Sequence, residues 1–320
     1  VNARTALVVV VILNWNTARL SAGCVASVLR QSHRNLRVVV VDNGSHDSLA
    51  PLHEAGLPFV LLRNERNLGF TGGVNTGIGH ALDMGADYVW LLNNDARPDP
   101  DALAALLDAV ATDERIGLAS PLIRNGDADG AVEFCGGLRE GNTFVTTNDP
   151  AVYLSWRERT PERIWLVGTA LLLRRRLVVD IGLFDDRFFA YWEDNDYSVR
   201  SQRAGFRNIV VPDAVVRHWS GGPAASAGAR PPHYHYYMAR NELLFLRKHL
   251  TLRDAARPLL WAIDRQLRRL HRLRHDPVSA DAVLAGLWDG LRGRGGGYDP
   301  ARRPALLGLS RMVRAIRIRT

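Results

Sequence analysis

A chain of 320 residues, 47% hydrophobic and 23% charged, has the composition of an ordinary globular protein and the length for one large α/β domain with an appendage. No apolar stretch approaches the ~20 residues of a membrane span. Two cysteines, Cys24 and Cys135, fit neither a disulfide framework nor a metal-ligand spacing, so a reducing cytoplasm is expected. The net charge of +8 is lopsided: residues 1–220 hold 22 Lys and Arg against 26 Asp and Glu, and residues 221–320 hold 19 against 7. An anionic partner, whether membrane surface or nucleic acid, would therefore meet the C-terminal part.

The first apolar run, residues 6–13, lacks a small-residue cleavage site and runs into Asn14-Trp15-Asn16, so it is expected as a strand (7–13) and not as a signal peptide. A helix over 18–31, strands over 36–41 and 59–63, a helix over 73–84, a strand over 88–92 and a helix over 101–111 follow. This βαβ rhythm predicts a mainly parallel sheet with helices on both faces. Residues 124–163 are polar and irregular. Beyond them come a strand (164–173), a short helix, the aromatic and acidic segment 184–200, and short strands at 209–211 and 215–219. From His235 onward the pattern is helical and rich in arginine. The expected division is a catalytic domain over 1–233, with halves 1–123 and 124–233, and a basic helical region over 234–320.

Every early strand ends in a polar or glycine-rich cluster: Asn14-Trp15-Asn16, Asp42-Asn43-Gly44-Ser45, residues 64–73, and Asn93-Asn94-Asp95. In an open α/β sheet these ends share one edge, where ligands bind. Such a pocket suits a nucleoside diphosphate. Asp42 would accept from a pyrimidine N3–H, Gly69, Gly72, Gly73 and Gly77 would let backbone approach phosphate or sugar, and Asp95 would hold a divalent cation on the diphosphate oxygens. Taken singly, Asp95 also suits a helix cap and each glycine a turn. In Phe188-Phe189-Ala190-Tyr191-Trp192-Glu193-Asp194-Asn195-Asp196, three acids lie within four positions beside aromatics whose faces can receive sugar rings. A carboxylate at that helix start can act as general base for an acceptor hydroxyl, or merely complement the helix dipole. His218 is a structural histidine unless it joins a metal site.

The ordered motifs VVVVILNWN, VVVVDNGSHD, NERNLGFTGGVNTGI, WLLNNDARPDP, VGTALLLRR, GLFDDRFFAYWEDNDYSVR, RHW and HYHYYMARNELLFLRKH, spanning about residues 7–249, resemble the family 2 inverting glycosyltransferases of the GT-A fold, near their bacterial rhamnosyltransferase-like branch. The resemblance implies Mg²⁺ or Mn²⁺ on Asp95, with Asn93 standing where the family carries an Asp, and His218 completing the metal site as in some members. It implies Asp42 on the pyrimidine and Asn14, Asn16, Asn67 and Asn75 lining the donor site, in the same clusters as Asn43, Gly73, Asn93 and Asn94. It implies Asp194 as base with Glu193 next to it as the fallback, and Gly168-Thr169-Ala170 with Trp192 where donor sugar and acceptor meet. The implied donor is dTDP-L-rhamnose, then a UDP-sugar. The implied acceptor is a glycan or a polyprenyl-diphosphate-linked glycan.

A nucleotidyltransferase would want a Gly/Arg/Lys-rich loop after the first strand, which Asn14-Trp15-Asn16 is not, and no G-x-x-x-x-G-K-[ST] occurs. A non-enzymatic nucleic-acid-binding protein would leave the acid and amide clusters unexplained, so no nucleic-acid partner is expected. The tail offers a different anionic partner. Leu259, Leu260, Ile263, Leu267 and Leu270 recur at helical spacing among Arg265, Arg268, Arg269 and Arg272, and residues 306–319 repeat the pattern. Basic amphipathic helices of this kind lie on anionic membrane surfaces, which predicts a cytoplasmic protein peripheral to the inner face of the membrane. The competing expectation is that the apolar stripes pack internally and the arginines are solvated.

Overall fold

The computed structural model describes residues 5–127, 130–219 and 230–301. Strands β1 (Val8–Asn14), β2 (Leu36–Asp42), β3 (Val60–Arg63) and β4 (Tyr88–Asn93) alternate with helices α1 (Ala18–Val28), α2 (Ala50–Glu54) and α3 (Gly69–Asp83). All four strands are parallel, in the order β3-β2-β1-β4. The β-branched run of β1 dictates its central place: Val8, Val9, Val10 and Ile12 are fully buried, as befits a strand covered on both faces. Each such side chain contributes about 1.5–3 kcal/mol.

The sheet continues through β11 (Ala170–Arg174), β6 (Ile116–Asn125), β12 (Arg207–His218) and β5 (Ala96–Pro98). Strand β11 runs antiparallel between β4 and β6, and β12 runs parallel to β6. Strand β6 has no counterpart among the predicted elements because Gly117, Ser120 and Pro121 interrupt its apolar run. Proline lacks the N–H that a ladder requires, and the ladder accommodates it with an irregularity: β12 shifts register between Val211 and Val215, opposite the Pro121–Leu122 step. The same bulge turns the two short strands predicted at 209–211 and 215–219 into one.

Residues 124–163, expected to be irregular, carry much more structure. Strand β7 (Val132–Phe134) pairs with β6. Strands β8 (Gly136–Glu140), β9 (Thr143–Thr147) and β10 (Ile164–Trp165) form a second, antiparallel sheet in the order β10-β8-β9. Helix α5 (Pro150–Arg159) is capped by Asp149, which accepts from the Ala151 amide at 2.8 Å. It inserts a fully buried Tyr153, whose hydroxyl donates to the Val210 carbonyl (3.0 Å) and accepts from the Val210 amide (2.7 Å). The strand predicted over 164–173 is two strands, β10 and β11, separated by Leu166–Thr169.

Helices α4 (Ala102–Ala111) and α6 (Arg175–Ile181) and most of α7 (Glu193–Arg203) belong with these sheets in one compact unit, which among the described residues takes in 5–127, 130–184 and 194–219. A second unit takes in the described residues 185–193 and 230–301. It holds α8 (Pro232–His249), α9 (Leu252–Arg272) and α10 (Pro277–Leu291). Tyr236 and Tyr237 of α8 pack on Ala282 and Ala285 of α10. Gly286 must be glycine, since a Cβ there would lie 2.3 Å from the Tyr236 carbonyl oxygen.

The stripe predicted on α9 divides. Leu270 is buried with Ala262 and Gln266, and Leu259 and Ile263 are half-buried, whereas Leu260 and Trp261 are 65% and 68% exposed. Part of the stripe therefore packs internally and part does not. The second basic segment, 306–319, lies outside the described residues. Among the described residues no helix is long and apolar enough to cross a membrane.

Candidate active site

The parallel register aligns the polar strand ends. Asn14 pairs with Asp42, Asp42 with Arg63, and Leu13 with Asn93, so the predicted clusters do share one edge. Asp42 is fully buried. Its Oδ1 accepts from Asn14 Nδ2 at 3.0 Å, while Oδ2 has no hydrogen-bond partner among the described residues and lies 3.3 Å from Nε of the largely exposed Arg63. A buried carboxylate oxygen with a spare lone pair is an acceptor waiting for a donor. Asn14 is itself fully buried, accepts from Ser21 Oγ at 2.7 Å and orients Asp42.

The other amides predicted to line the donor site mostly shape its loops. Asn16, at φ 55°, accepts from the amides of His46 and Asp47. Asn43 donates to Asn67 Oδ1 and the Gly69 carbonyl and accepts from Asn64 and the Leu68 amide, which fixes the entry to α3. Asn67 accepts from the Gly69 amide at 2.8 Å. Asn75 exchanges two hydrogen bonds with the backbone of Phe184. Asn94 donates to Thr17 and Ser21. A Cβ at Gly73 would sit 2.4 Å from Leu13 Cδ1 and one at Gly77 2.3 Å from Val11 Cγ1, so both glycines let α3 lie directly on β1.

Tertiary structure joins Asp95 and His218, 123 positions apart in sequence. Strand β5 pairs with the end of β12, His218 opposite Ala96, and His218 Nε2 comes 3.1 Å from Asp95 Oδ1. Behind it, His218 Nδ1 faces Glu133 Oε2 on β7 at 3.5 Å. Burial lowers the imidazole pKa, but the two carboxylates outweigh it and the net shift is upward. Two donor atoms at this spacing suit one cation that takes its remaining ligands from substrate phosphate and water, as Mg²⁺ does. Among the described residues no group of three or more His, Cys, Asp or Glu is spaced to hold a metal. Glu133 escaped the sequence reading because a lone acid between Val132 and Phe134 belongs to no motif.

The loop between β10 and β11 links this edge to the acidic segment. The Thr169 carbonyl accepts from the Asn93 amide at 2.9 Å, and one residue earlier the Gly168 amide donates to Asp194 Oδ2 at 3.2 Å. Asp194 stands in the first turn of α7, with Oδ1 accepting from the Asn195 amide at 2.8 Å. Burial raises its pKa from 3.8 to about 6, against the pull of those amides. Asp196 instead is fully buried and paired with Arg200 at 3.6 Å, a structural pair. Glu193 and Trp192 belong to the other unit, where Trp192 packs on Phe245 with ring centroids 5.4 Å apart. Phe189, Tyr191 and Trp192 take φ of 63°, 66° and 72°. Each such left-handed side-chain-bearing residue costs about 1–3 kcal/mol and persists only where its surroundings over-determine it.

Residues 9–177 match the family described as Glycosyl transferase family 2. An N-acetylglucosaminyl-diphospho-decaprenol L-rhamnosyltransferase of Mycobacterium tuberculosis is 30% identical over 275 residues, covering 72% of this chain and 88% of its own. The dTDP-rhamnosyl transferase RfbF of Shigella flexneri is 24% identical over 268 residues, covering 79% and 84%. The mannosyltransferase PcManGT of Pyrobaculum calidifontis, solved with GDP-Man and Mn²⁺, superposes over 96% of this chain and 80% of its own with a TM-score of 0.55 at 19% identity, which speaks to the shared GT-A fold. On the family match and these relatives, the chain belongs to glycosyl transferase family 2 and is a glycosyltransferase of its rhamnosyltransferase-like branch.

Proposed function

We propose that the chain transfers L-rhamnose from dTDP-L-rhamnose, with inversion, to a hydroxyl of a polyprenyl-diphosphate-linked glycan, a UDP-sugar being the next donor to test. The observation that carries this reading is Asp194: a carboxylate in the first turn of a helix, hydrogen-bonded by Gly168, with a pKa of about 6. A group so tuned is ionised at neutral pH and basic enough to take a hydroxyl proton. The acceptor oxygen attacks the anomeric carbon as its proton passes to Asp194. The bond from that carbon to the diphosphate oxygen breaks, and the nucleoside diphosphate leaves with the electron pair. One displacement inverts the centre.

Asp42 would take the N3–H of the thymine or uracil on Oδ2, displacing the exposed Arg63. Asp95 and His218 would hold Mg²⁺ or Mn²⁺, whose chemistry is to neutralise the departing diphosphate. The donor and acceptor are proposed by analogy with the relatives' names, the M. tuberculosis enzyme for the lipid-linked acceptor and the S. flexneri enzyme for the dTDP-sugar. An acceptor of that class would place the enzyme against an anionic membrane, where the exposed side of α9 offers Leu260 and Trp261 among Arg253, Arg257, Arg268 and Arg272.

The test is a sugar-nucleotide panel read by release of nucleoside diphosphate, with and without EDTA. Release from dTDP-L-rhamnose that EDTA abolishes and Mg²⁺ or Mn²⁺ restores in wild type, but not in Asp95→Ala, is the expected result. Full activity in EDTA sinks the metal assignment, and a preference for another donor sinks the rhamnosyl assignment.

A further inference from the structure

The backbone just ahead of Asp194 is gripped by two neighbouring side chains of α8 with no role in the chemistry above. Asn241 Nδ2 lies 3.0, 2.8 and 2.7 Å from the carbonyl oxygens of Phe188, Ala190 and Tyr191. Arg240 Nη2 donates to the carbonyls of Arg187 (3.1 Å) and Phe188 (2.6 Å), and its Nη1 to that of Gly296. Arg240 Nε donates to Asn241 Oδ1 at 2.7 Å, so the amide's oxygen faces the guanidinium and its NH₂ must face the loop. Both side chains are fully buried.

Carbonyls of four residues can converge on one asparagine and one arginine only if the chain folds back on itself, which is what the left-handed Phe189, Tyr191 and Trp192 accomplish. Their rings are pinned as well. Phe189 stacks on Tyr237 at 5.5 Å and Tyr191 meets Tyr234 edge-on at 5.2 Å. A strained loop persists when its surroundings over-determine it. Burying an arginine and an asparagine for plain packing is poor economy, since apolar residues of similar volume serve as well.

We infer that Asn241 and Arg240 are positioning residues for sugar transfer, locking backbone 187–192 so that the chain enters α7 with Asp194 in one orientation. The inference rests on reading Asp194 as the base. Neither residue touches a reacting atom, so loss of the clamp lowers turnover and leaves donor recognition intact.

The test uses the full chain carrying Asn241→Ala, compared with wild type by three measurements. Amide hydrogen exchange over 188–195 is expected to quicken at least tenfold while β1 stays protected. Affinity for dTDP stays within twofold. Turnover of the donor that wild type uses falls tenfold or more with its KM unchanged, and Arg240→Lys, which keeps the charge but not the fork, falls between. Unchanged exchange, unchanged turnover, or joint loss of dTDP binding and of the cooperative melt in both variants overturns the inference, the last by assigning the pair to folding alone. If Asp194→Asn keeps wild-type turnover, the base reading fails on its own, and the exchange and turnover of Asn241→Ala still decide whether the loop is positioned for catalysis.

Discussion

At the scale of single residues, the base role proposed for Asp194 would tie activity and stability to the same proton. With its pKa raised from 3.8 to about 6, the folded carboxyl holds its proton more tightly than the unfolded one, so stability contributed by this group is lost as pH rises between those values. The base, conversely, works only once ionised. Turnover is therefore expected to rise with pH around 6, and Asp194→Asn to lower kcat by about 10²-fold or more with donor binding retained. The same variant should melt higher than wild type above pH 6 and lose that advantage towards pH 4, by an amount on the order of 1–2 kcal/mol, screening at the carboxylate's accessible edge being allowed for. Melting curves from pH 4 to 8 check this. A variant destabilised at every pH would give Asp194 a structural role. The residue was legible in the sequence as an acid at a helix start; the Gly168 amide that bonds its Oδ2 was not.

At the scale of elements, the glycines of α3 show how one sequence signal carries two meanings. A cluster of glycines beside a strand end suggests room for phosphate, yet Gly77 meets Val11 and Gly73 meets Leu13. Gly77→Ala gains about 1 kcal/mol in helix propensity. It also places a Cβ 2.3 Å from Val11 Cγ1 on a central strand that cannot retreat, and overpacking costs about 1–3 kcal/mol. The net expectation is destabilisation without a matching loss of dTDP affinity, measured by denaturant titration and calorimetry. A stability gain, or a selective loss of nucleotide binding, would restore the ligand-approach reading. Strand β6 and the bulge opposite Pro121 teach the converse: a proline that argues against a central strand is accepted when its neighbour supplies the irregularity.

At the scale of the whole molecule, the uneven charge of the chain is what the proposed contact with an anionic membrane would use. The exposed arginines of α9 are each worth about 1 kcal/mol near anionic lipid, and Trp261 and Leu260 can enter the interface. Removing everything after Lys248 would also strip α10 from Tyr236 and Tyr237, so point variants are the cleaner probe. Wild type is expected to sediment with vesicles containing phosphatidylglycerol and not with neutral ones, less so at high salt, and Leu260→Glu with Trp261→Glu to sediment at least fivefold less. Equal recovery on neutral vesicles, or an unaffected double variant, would remove α9 from the membrane.

The sequence by itself determined the features that are local and periodic. Valine runs made central strands, alternation with helices made a mainly parallel sheet, and polar strand ends of matching register made one ligand edge, because strand direction and the two-residue repeat leave few other arrangements. The ordered motifs determined the family. Only the tertiary structure decided which distant groups meet. His218 reaches Asp95 because β12 crosses to pair with β5, Glu133 reaches His218 from a small strand without a strong pattern, and Arg240 and Asn241 close on a loop fifty residues earlier in the chain. Those meetings depend on strand order, register shifts and backbone carbonyls exposed by left-handed residues, and none of these is written in the spacing of side-chain types.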